Sequence, residues 1–358
     1  MVQFCPGAST FARDMKTRGY AALWMAIVWI VAGCTADSKQ TKAERYWLQG
    51  NEQLEERNWK SAERFYNDAL QLDPNYTAAY INRGISQFKR AAYPEAIQSH
   101  TMAVNLAPEE AETWYNRAHA FLMVGQYERA LQDMDSVELR EVGYGQVHFL
   151  RGLALAELDR YPEALAAFDR ALARDSSNAE LWVNRANMLY YQHQLDDAQL
   201  AVRQALALDP KEGMAYNVQA LIYADRERYD AALAAVNEGL RQAPRHPYLT
   251  NNKGYIYLQM DSLAQAEKHL NDALRLDTRN PWAFRNKGLW YRAMGDLENA
   301  ERVLRQAITF DSRVDEGYLW LGVVLQAQGR LAEACEAWAE AEILNQPGAA
   351  KIRQENCR

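Results

Sequence analysis

Basic charge, cysteine and long apolar runs are all scarce in this 358-residue chain. Its 40 Lys and Arg side chains are outnumbered by 47 Asp and Glu, for a net charge of −7. Nucleic-acid phosphates demand a basic surface, so this balance argues against a nucleic-acid partner. The hydrophobic content of 49% is nevertheless that of a folded protein with a sizeable core.

Side chains that bind metals or activate nucleophiles are also few and scattered. The six histidines include no pair spaced i, i+4, and no cysteine cluster accompanies them. The chain contains no glycine-rich phosphate loop and no nucleophile-elbow motif. We therefore expect no metal site, no cofactor and no catalytic centre.

The only long uncharged apolar run is LWMAIVWIVAGC, residues 23–34. Only 15 residues separate Arg18 from Cys34, whereas a membrane-spanning helix needs roughly 20 and a signal-peptide core roughly 7 to 15. Positive charge in MKTR (15–18) precedes the run, and the small residues of VAGC (31–34) end it. These features favour a cleaved export signal, with an uncleaved N-terminal anchor as the alternative.

This segment resembles the lipobox of bacterial lipoproteins. The resemblance implies cleavage after Gly33 and lipid attachment to Cys34, which would anchor the chain in the cell envelope. Thr35 in place of Asp favours the outer membrane, on its periplasmic face or surface. We expect residues 1–33 to be the signal peptide, 1–14 to be a misassigned upstream start, and 34–42 to be the lipidated N-terminus and a polar spacer.

From residue 43 to 348 the chain repeats every 34 residues without an insertion. Position 8 of each block is Gly or Ala, position 17 is large, and position 20 is always Ala. Apolar residues recur at three and four residues, which predicts two amphipathic helices per block that approach closely at the small residues. The large residue at position 17 is expected to fill the space beside them. A short capping helix is expected over 349–358. The nine blocks begin at Ala43, Thr77, Ala111, Gly145, Ala179, Gly213, Pro247, Pro281 and Asp315.

The pattern resembles the tetratricopeptide repeat family. The resemblance implies an all-α fold, a right-handed superhelical solenoid of nine repeats whose first helices line a concave groove for a protein or peptide partner. The end of the third block, VELREVGYGQ (137–146), departs from the pattern and is either a kink or a tolerated irregularity.

Positions 2, 5, 6, 9 and 13 of each block share the face that would line this groove. Position 6 is Asn in five blocks, and an amide side chain can donate to and accept from a peptide backbone. Asn is also common there in tetratricopeptide repeats of every function, so the row is either a peptide-binding ladder or background usage. Tyr and Arg, which anchor interfaces, join this face. The predicted groove residues are Asn82, Asn116, Asn184, Asn252, Asn286, Tyr115, Tyr190, Tyr191, Tyr255, Arg285 and Arg292.

Basic residues could also give the groove a carboxylate clamp or an anion-binding row. The carboxylate clamp of chaperone-binding family members is not expected, because its cationic positions hold Trp47, Glu112 and Asn116. Basic residues at position 7 are expected to lay their stems over a neighbouring helix with the charge in water, rather than to form an anion-binding row. They are Arg83, Arg117, Arg151, Arg185, Lys253 and Lys287.

The C-terminal cysteines lie symmetrically about a helix break. Cys335 and Cys357 stand eleven residues either side of Gln346, and Pro347 follows it. An antiparallel return would place the two cysteines opposite each other, which predicts a disulfide worth about 3 kcal/mol. The alternative is two buried thiols.

The sequence thus predicts a membrane-anchored scaffold that binds an extended peptide or a partner helix. The alternative function is an envelope hydrolase or small-ligand-binding protein that uses the groove.

Overall fold

The computed structural model describes residues 39–140 and 145–357. Within these ranges there are nineteen helices and no strand. The predicted signal peptide, the lipid attachment residue Cys34 and residues 141–144 of the irregular segment at the end of the third block lie outside them. Residues 39–42, assigned above to the spacer, already belong to the first helix. The helices are α1 (39–55), α2 (Trp59–Leu72), α3 (Thr77–Lys89), α4 (Tyr93–Leu106), α5 (Ala111–Met123), α6 (Tyr127–Arg140), α7 (Gly145–Glu157), α8 (Tyr161–Leu172), α9 (Ala179–Tyr191), α10 (Leu195–Leu208), α11 (Gly213–Asp225), α12 (Tyr229–Gln242), α13 (Pro247–Gln259), α14 (Leu263–Leu276), α15 (Pro281–Ala293), α16 (Leu297–Phe310), α17 (Gly317–Ala327), α18 (Leu331–Ile343) and α19 (Ala349–Asn356).

The paired helices of a repeat pack through one small and one large residue. A Cβ added to Gly288 would lie 2.6 Å from Leu304 Cγ, and one added to Gly254 would lie 2.8 Å from Leu270 Cγ. The large residue that fills the space beside position 8 is therefore at position 24, not at position 17 as the sequence pattern suggested. The alanine at position 20 is completely buried in all nine blocks, because the opposing helix leaves no room for a longer side chain.

The turn between the two helices of each repeat depends on one residue with a left-handed backbone. This residue is at position 15, for example Asp159 with φ +57° and Gly295 with φ +77°. In the fourth repeat the N–H of Arg160 then donates to the carbonyl of Leu155 at 2.9 Å, which ends α7.

The chain divides between Ala154 and Leu155 into two compact units, here called unit 1 and unit 2. In unit 2 the first helices α9, α11, α13, α15 and α17 each contact the next, and each second helix also packs against the first helix of the following repeat. In unit 1, α3 and α5 are neighbours in the same way. The prediction of an all-α fold of stacked helix-turn-helix repeats is confirmed.

The last helix closes the end of unit 2. The predicted disulfide joins Cys335 in α18 to Cys357 after α19, with Cα atoms 5.8 Å apart. Arg353 pairs with Glu342 at 2.5 Å, and Ile352 packs against the cluster around the fully buried Trp338. The end repeat thereby hides its apolar face. In the described part of the chain, no helix has the length and apolar character needed to cross a membrane.

Candidate functional site

Tyrosine rings form a continuous patch in unit 2. The ring of Tyr191, at the end of α9, stacks on that of Tyr161, at the start of α8, with centroids 4.8 Å apart and planes 11° apart. Tyr190 packs edge-on against Tyr191 at 5.7 Å. Tyr191 nevertheless keeps 36% of its surface accessible. The patch therefore offers aromatic surface to a ligand.

Two carboxylates border these rings without a direct ion pair among the described residues, although His193 lowers the pKa of Asp225. Asp225 accepts a hydrogen bond from the Tyr190 hydroxyl at 3.3 Å, and Asp315 accepts one from the Trp282 indole N–H at 3.3 Å. Among the described residues, no Lys, Arg or His nitrogen lies within 4.0 Å of either carboxylate. Burial raises the pKa of both, because desolvation disfavours the charged form.

Arg285 lies between the rings and the acidic residues. Its guanidinium is 5.7 Å from the centre of the Tyr255 ring and donates to Glu316 Oε2 at 3.3 Å. Its Nε–H has no hydrogen-bond partner among the described residues, and only 12% of the side chain is exposed. The charge of Arg285 lowers the pKa of Asp315 in part, against the larger effect of burial. Arg285 therefore offsets part of the negative charge here without neutralising it.

An ion pair connects two turns of unit 2 that are far apart in sequence. Arg313, between α16 and α17, places a guanidinium nitrogen 3.2 Å from Asp159 Oδ2, between α7 and α8. The Tyr161 hydroxyl donates to the other oxygen of Asp159 at 2.8 Å. These partners are 154 residues apart, so the helix layer between them must curve until its ends meet.

The residues just described lie on the enclosed side of that curve. The charges of Asp315, Arg285 and Asp159 all act on Tyr191, although they belong to repeats at opposite ends of the unit. Burial is the main reason that the pKa of Tyr191 is raised, and the two aspartates raise it further. The name inner face is used below for Tyr161, Tyr190, Tyr191, Asp225, Tyr255, Arg285 and Asp315.

The asparagine side chains of unit 2 hydrogen-bond mainly to one another. Asn252 donates to Asn217 at 2.8 Å, Asn251 donates to Asn252 at 3.0 Å, and Asn286 donates to Asn251 at 2.9 Å. These bonds link α11, α13 and α15. Asn286 is only 1% exposed, so it is removed from the predicted groove residues: its amide holds neighbouring repeats together. Asn184 differs, since it donates to the carbonyl of Glu180 in its own helix at 2.9 Å.

The predicted residues of unit 1 are placed in part by similar bonds. Asn82 donates to Asn51 at 2.8 Å, and the same Asn51 oxygen accepts the Tyr66 hydroxyl at 2.9 Å. The Asn116 amide nitrogen is buried without a hydrogen-bond partner among the described residues. Tyr115 lies beside His119, with ring centres 6.3 Å apart. Unit 1 thus shares the asparagine pattern but shows no tyrosine stack comparable to that of unit 2 in its described part.

Five of the six basic residues at position 7 pair with acidic or polar side chains of a second helix. Arg117 makes two bonds to Asp133, at 2.7 and 2.8 Å, and Arg185 contacts Asp169 at 2.7 Å. Lys287 is 5% exposed, 3.4 Å from Glu267, and its ammonium lies 3.7 Å from the centre of the Trp290 ring. For these residues the expectation of charges reaching water was wrong, because an acidic partner on the second helix lies within reach.

No group of three or more His, Cys, Asp or Glu side chains in residues 39–140 and 145–357 is arranged to hold a metal ion.

The repeat geometry agrees with a match to a known family. The family model described as tetratricopeptide repeat matches residues 115–179, 183–247, 219–281 and 285–350, which together make up more than half of the chain. The chain belongs to the tetratricopeptide repeat family. Members of this family are generally scaffolds for protein interactions, and this chain is accordingly assigned to that class. The first two repeats precede the matched ranges but have the same helix spacing.

Solved tetratricopeptide repeat structures share this fold at low sequence identity. The APC/C hetero-tetramer Cut9–Hcn1 is 14% identical, with a TM-score of 0.55 over 88% of this chain and 76% of that chain. PilF of Pseudomonas aeruginosa is 16% identical, with a TM-score of 0.51 over 59% of this chain and 96% of that chain. These likenesses show the fold alone. No curated protein matches the chain.

Of the inner-face residues, the sequence pattern predicted Tyr190, Tyr191, Tyr255 and Arg285. It did not predict the two carboxylates, Asp225 and Asp315. Asp225 is at position 13 of its block, one of the groove positions, but the groove residues were predicted from asparagine, tyrosine and arginine alone; Asp315 is at position 1 of its block, outside those positions. Arg292, which was predicted, has its guanidinium 4.8 Å from the Trp320 ring centre. The sequence signal for Asp225 is a carboxylate at groove position 13, the position that Tyr191 occupies in the fifth repeat.

Proposed function

We propose that this protein is a lipid-anchored scaffold of a bacterial cell envelope that binds an extended peptide or a partner helix on its inner face. The observation that carries the proposal is the inner face itself. It combines accessible tyrosine rings, a partly buried arginine and hydrogen-bonding groups on a curved layer of helices, which is the residue chemistry of protein interfaces.

The scaffold acts by tethering rather than by catalysis. A partner held on the inner face of a membrane-anchored chain has a raised effective concentration for other components of the same membrane. The lipobox-like segment ending at Cys34 supports the anchor, and the disulfide between Cys335 and Cys357 supports export to an oxidising compartment. The outer membrane, on either face, is the proposed location.

The anchor is tested by labelling cells that express the full chain with a palmitate analogue. We expect label on the wild type and none on Cys34→Ala. Label that survives Cys34→Ala, or its absence from the wild type, contradicts lipid attachment at this residue. Fractionation of the labelled protein then distinguishes inner from outer membrane.

The scaffold is tested by photo-cross-linking in the native envelope. A photoreactive amino acid replaces Tyr255 on the inner face or, as control, Leu200, which is 52% exposed on the second helix α10. We expect a cross-linked product of discrete mass from position 255 and none from position 200. Equal products from both positions would show that the inner face is not the binding surface.

A further inference from the structure

The inner face has an excess of carboxylates over the cations that reach them. Arg285 contacts Glu316 and Arg313 contacts Asp159, so each of these arginines has an acidic partner. Asp225 and Asp315 accept hydrogen bonds only from ring donors, Tyr190 and Trp282, as far as the described residues show. Two carboxylates therefore lie beside aromatic surface without a direct ion pair, although His193 lowers the pKa of Asp225 and Arg285 that of Asp315 from a longer distance.

Both carboxylates are open to a ligand, since Asp225 is exposed and Asp315 is partly exposed. The surrounding protein nevertheless raises the pKa of both carboxyl groups, because it displaces part of the water that would solvate the ionised form. A cation brought within hydrogen-bonding distance would restore the lost solvation, and charge-assisted bonds of this kind are among the stronger ones in proteins. Tyrosine faces beside the carboxylates add attraction for the same cation.

The chain already shows how this surface binds a guanidinium. Arg313 reaches Asp159 Oδ2 at 3.2 Å, beside the stacked rings of Tyr161 and Tyr191. The pair is partly exposed, with 38% of the arginine and 48% of the aspartate side chain accessible. An exposed pair of this kind contributes little to stability, about 0 to 1 kcal/mol, so a ligand can displace it.

Resting on the binding function proposed above, we infer that the partner is a basic segment: an extended peptide whose arginine or lysine side chains pair with Asp225 and Asp315 on the inner face. Arg313 is then an internal competitor that holds Asp159 until a basic side chain replaces it. An acidic or neutral peptide would leave both carboxylates without a counter-ion, and an acidic one would be repelled.

The inference is tested by overlaying the purified chain on an array of random ten-residue peptides at low salt. We expect the bound peptides to be enriched at least about fivefold in Arg and Lys over Asp and Glu, and binding to weaken as salt is added, because screening acts on partly exposed charge pairs. For the tightest peptide, Asp225→Asn and Asp315→Asn should each weaken binding about tenfold.

Matched variants separate this charge effect from general damage. Asp230→Asn removes an exposed carboxylate from the first turn of α12 that is not one of the inner-face residues, and should leave peptide affinity unchanged. Arg313→Ala should increase the affinity severalfold by freeing Asp159, and a decrease would contradict the role of Arg313 as competitor. All variants should keep the wild-type circular dichroism spectrum, since none of these side chains lies in the apolar core.

The outcomes distinguish the two proposals. If the bound peptides are neutral or acidic, the basic-segment inference is overturned while the binding function stands. If no peptide on the array binds, both the inference and the peptide-binding function of the inner face are overturned. If basic peptides bind but Asp225→Asn and Asp315→Asn have no effect, binding lies elsewhere and the inference is also wrong.

Discussion

Replacing His100 by leucine should remove a large part of the acid sensitivity of unit 1. His100 occupies position 24 of the second repeat, packed against Gly84, and it is 1% exposed. Its Nδ1 atom has no hydrogen-bond partner among the described residues. Burial, with smaller effects from the charges of Arg117 and His119, lowers the pKa of His100 to about 3.

The sign of the effect follows from proton binding in the two states. In the unfolded chain a histidine takes up a proton near pH 6.5, whereas folded His100 stays neutral until about pH 3. Between these values the unfolded state binds more protons, so stability falls as the pH falls. At pH 5 the loss relative to pH 7.5 amounts to about 2 kcal/mol from this side chain alone. Leucine, which fills the same position in the seventh and eighth repeats, does not titrate.

The measurement is urea unfolding of the wild type and His100→Leu, followed by circular dichroism at pH 7.5 and pH 5. Other titrating groups contribute equally to both proteins, so the difference between their pH effects isolates His100. We expect the wild type to lose about 2 kcal/mol more than the variant on acidification. Equal losses in the two proteins would show that His100 is protonated in the folded state, and the reasoning from burial would be wrong.

Three further predictions concern the packing of the repeats. Gly288→Ala should lower the free energy of unfolding by about 1–3 kcal/mol, because the new Cβ is forced against Leu304. Adding Leu304→Val copies the Ala and Val pairing of the fifth and sixth repeats and should recover much of the lost stability in urea unfolding; no recovery would contradict this contact. Asn286→Ala should lower the free energy of unfolding by about 1–3 kcal/mol, because it breaks a buried hydrogen bond between repeats. Asn184→Ala removes an amide that bonds within its own helix and should change the free energy of unfolding by less than about 0.5 kcal/mol. Equal effects of the two mutations would show that the Asn286 bond does not hold the repeats together. Replacing both disulfide cysteines by serine should speed amide hydrogen exchange in α19 by a factor that corresponds to about 3 kcal/mol, and unchanged exchange would show that side-chain packing alone holds this helix.

Position-by-position comparison of the nine blocks was sufficient for the local fold. Each helix pair is built from contacts within 34 residues, and small residues at positions 8 and 20 identify the close approach without knowledge of the rest of the chain. The bulky partner was assigned to position 17 instead of 24, because periodicity alone does not tell which residue of the second helix faces a given residue of the first. The cysteine spacing about a helix break predicted the disulfide for the same local reason.

The binding surface depended on contacts that no single repeat contains. Asn252 and Asn286 each bond to an asparagine 35 residues earlier, a relation set by how first helices stack and not by the pattern within a block. Arg313 and Asp159 are 154 residues apart. Only the curvature accumulated over several repeats brings them together, and the 34-residue pattern does not give the small rotation between neighbouring repeats that produces this curvature. The sequence by itself thus determined the repeats, their helices and the C-terminal disulfide. The tertiary structure decided which polar side chains form hydrogen bonds between repeats and which carboxylates lie on the inner face.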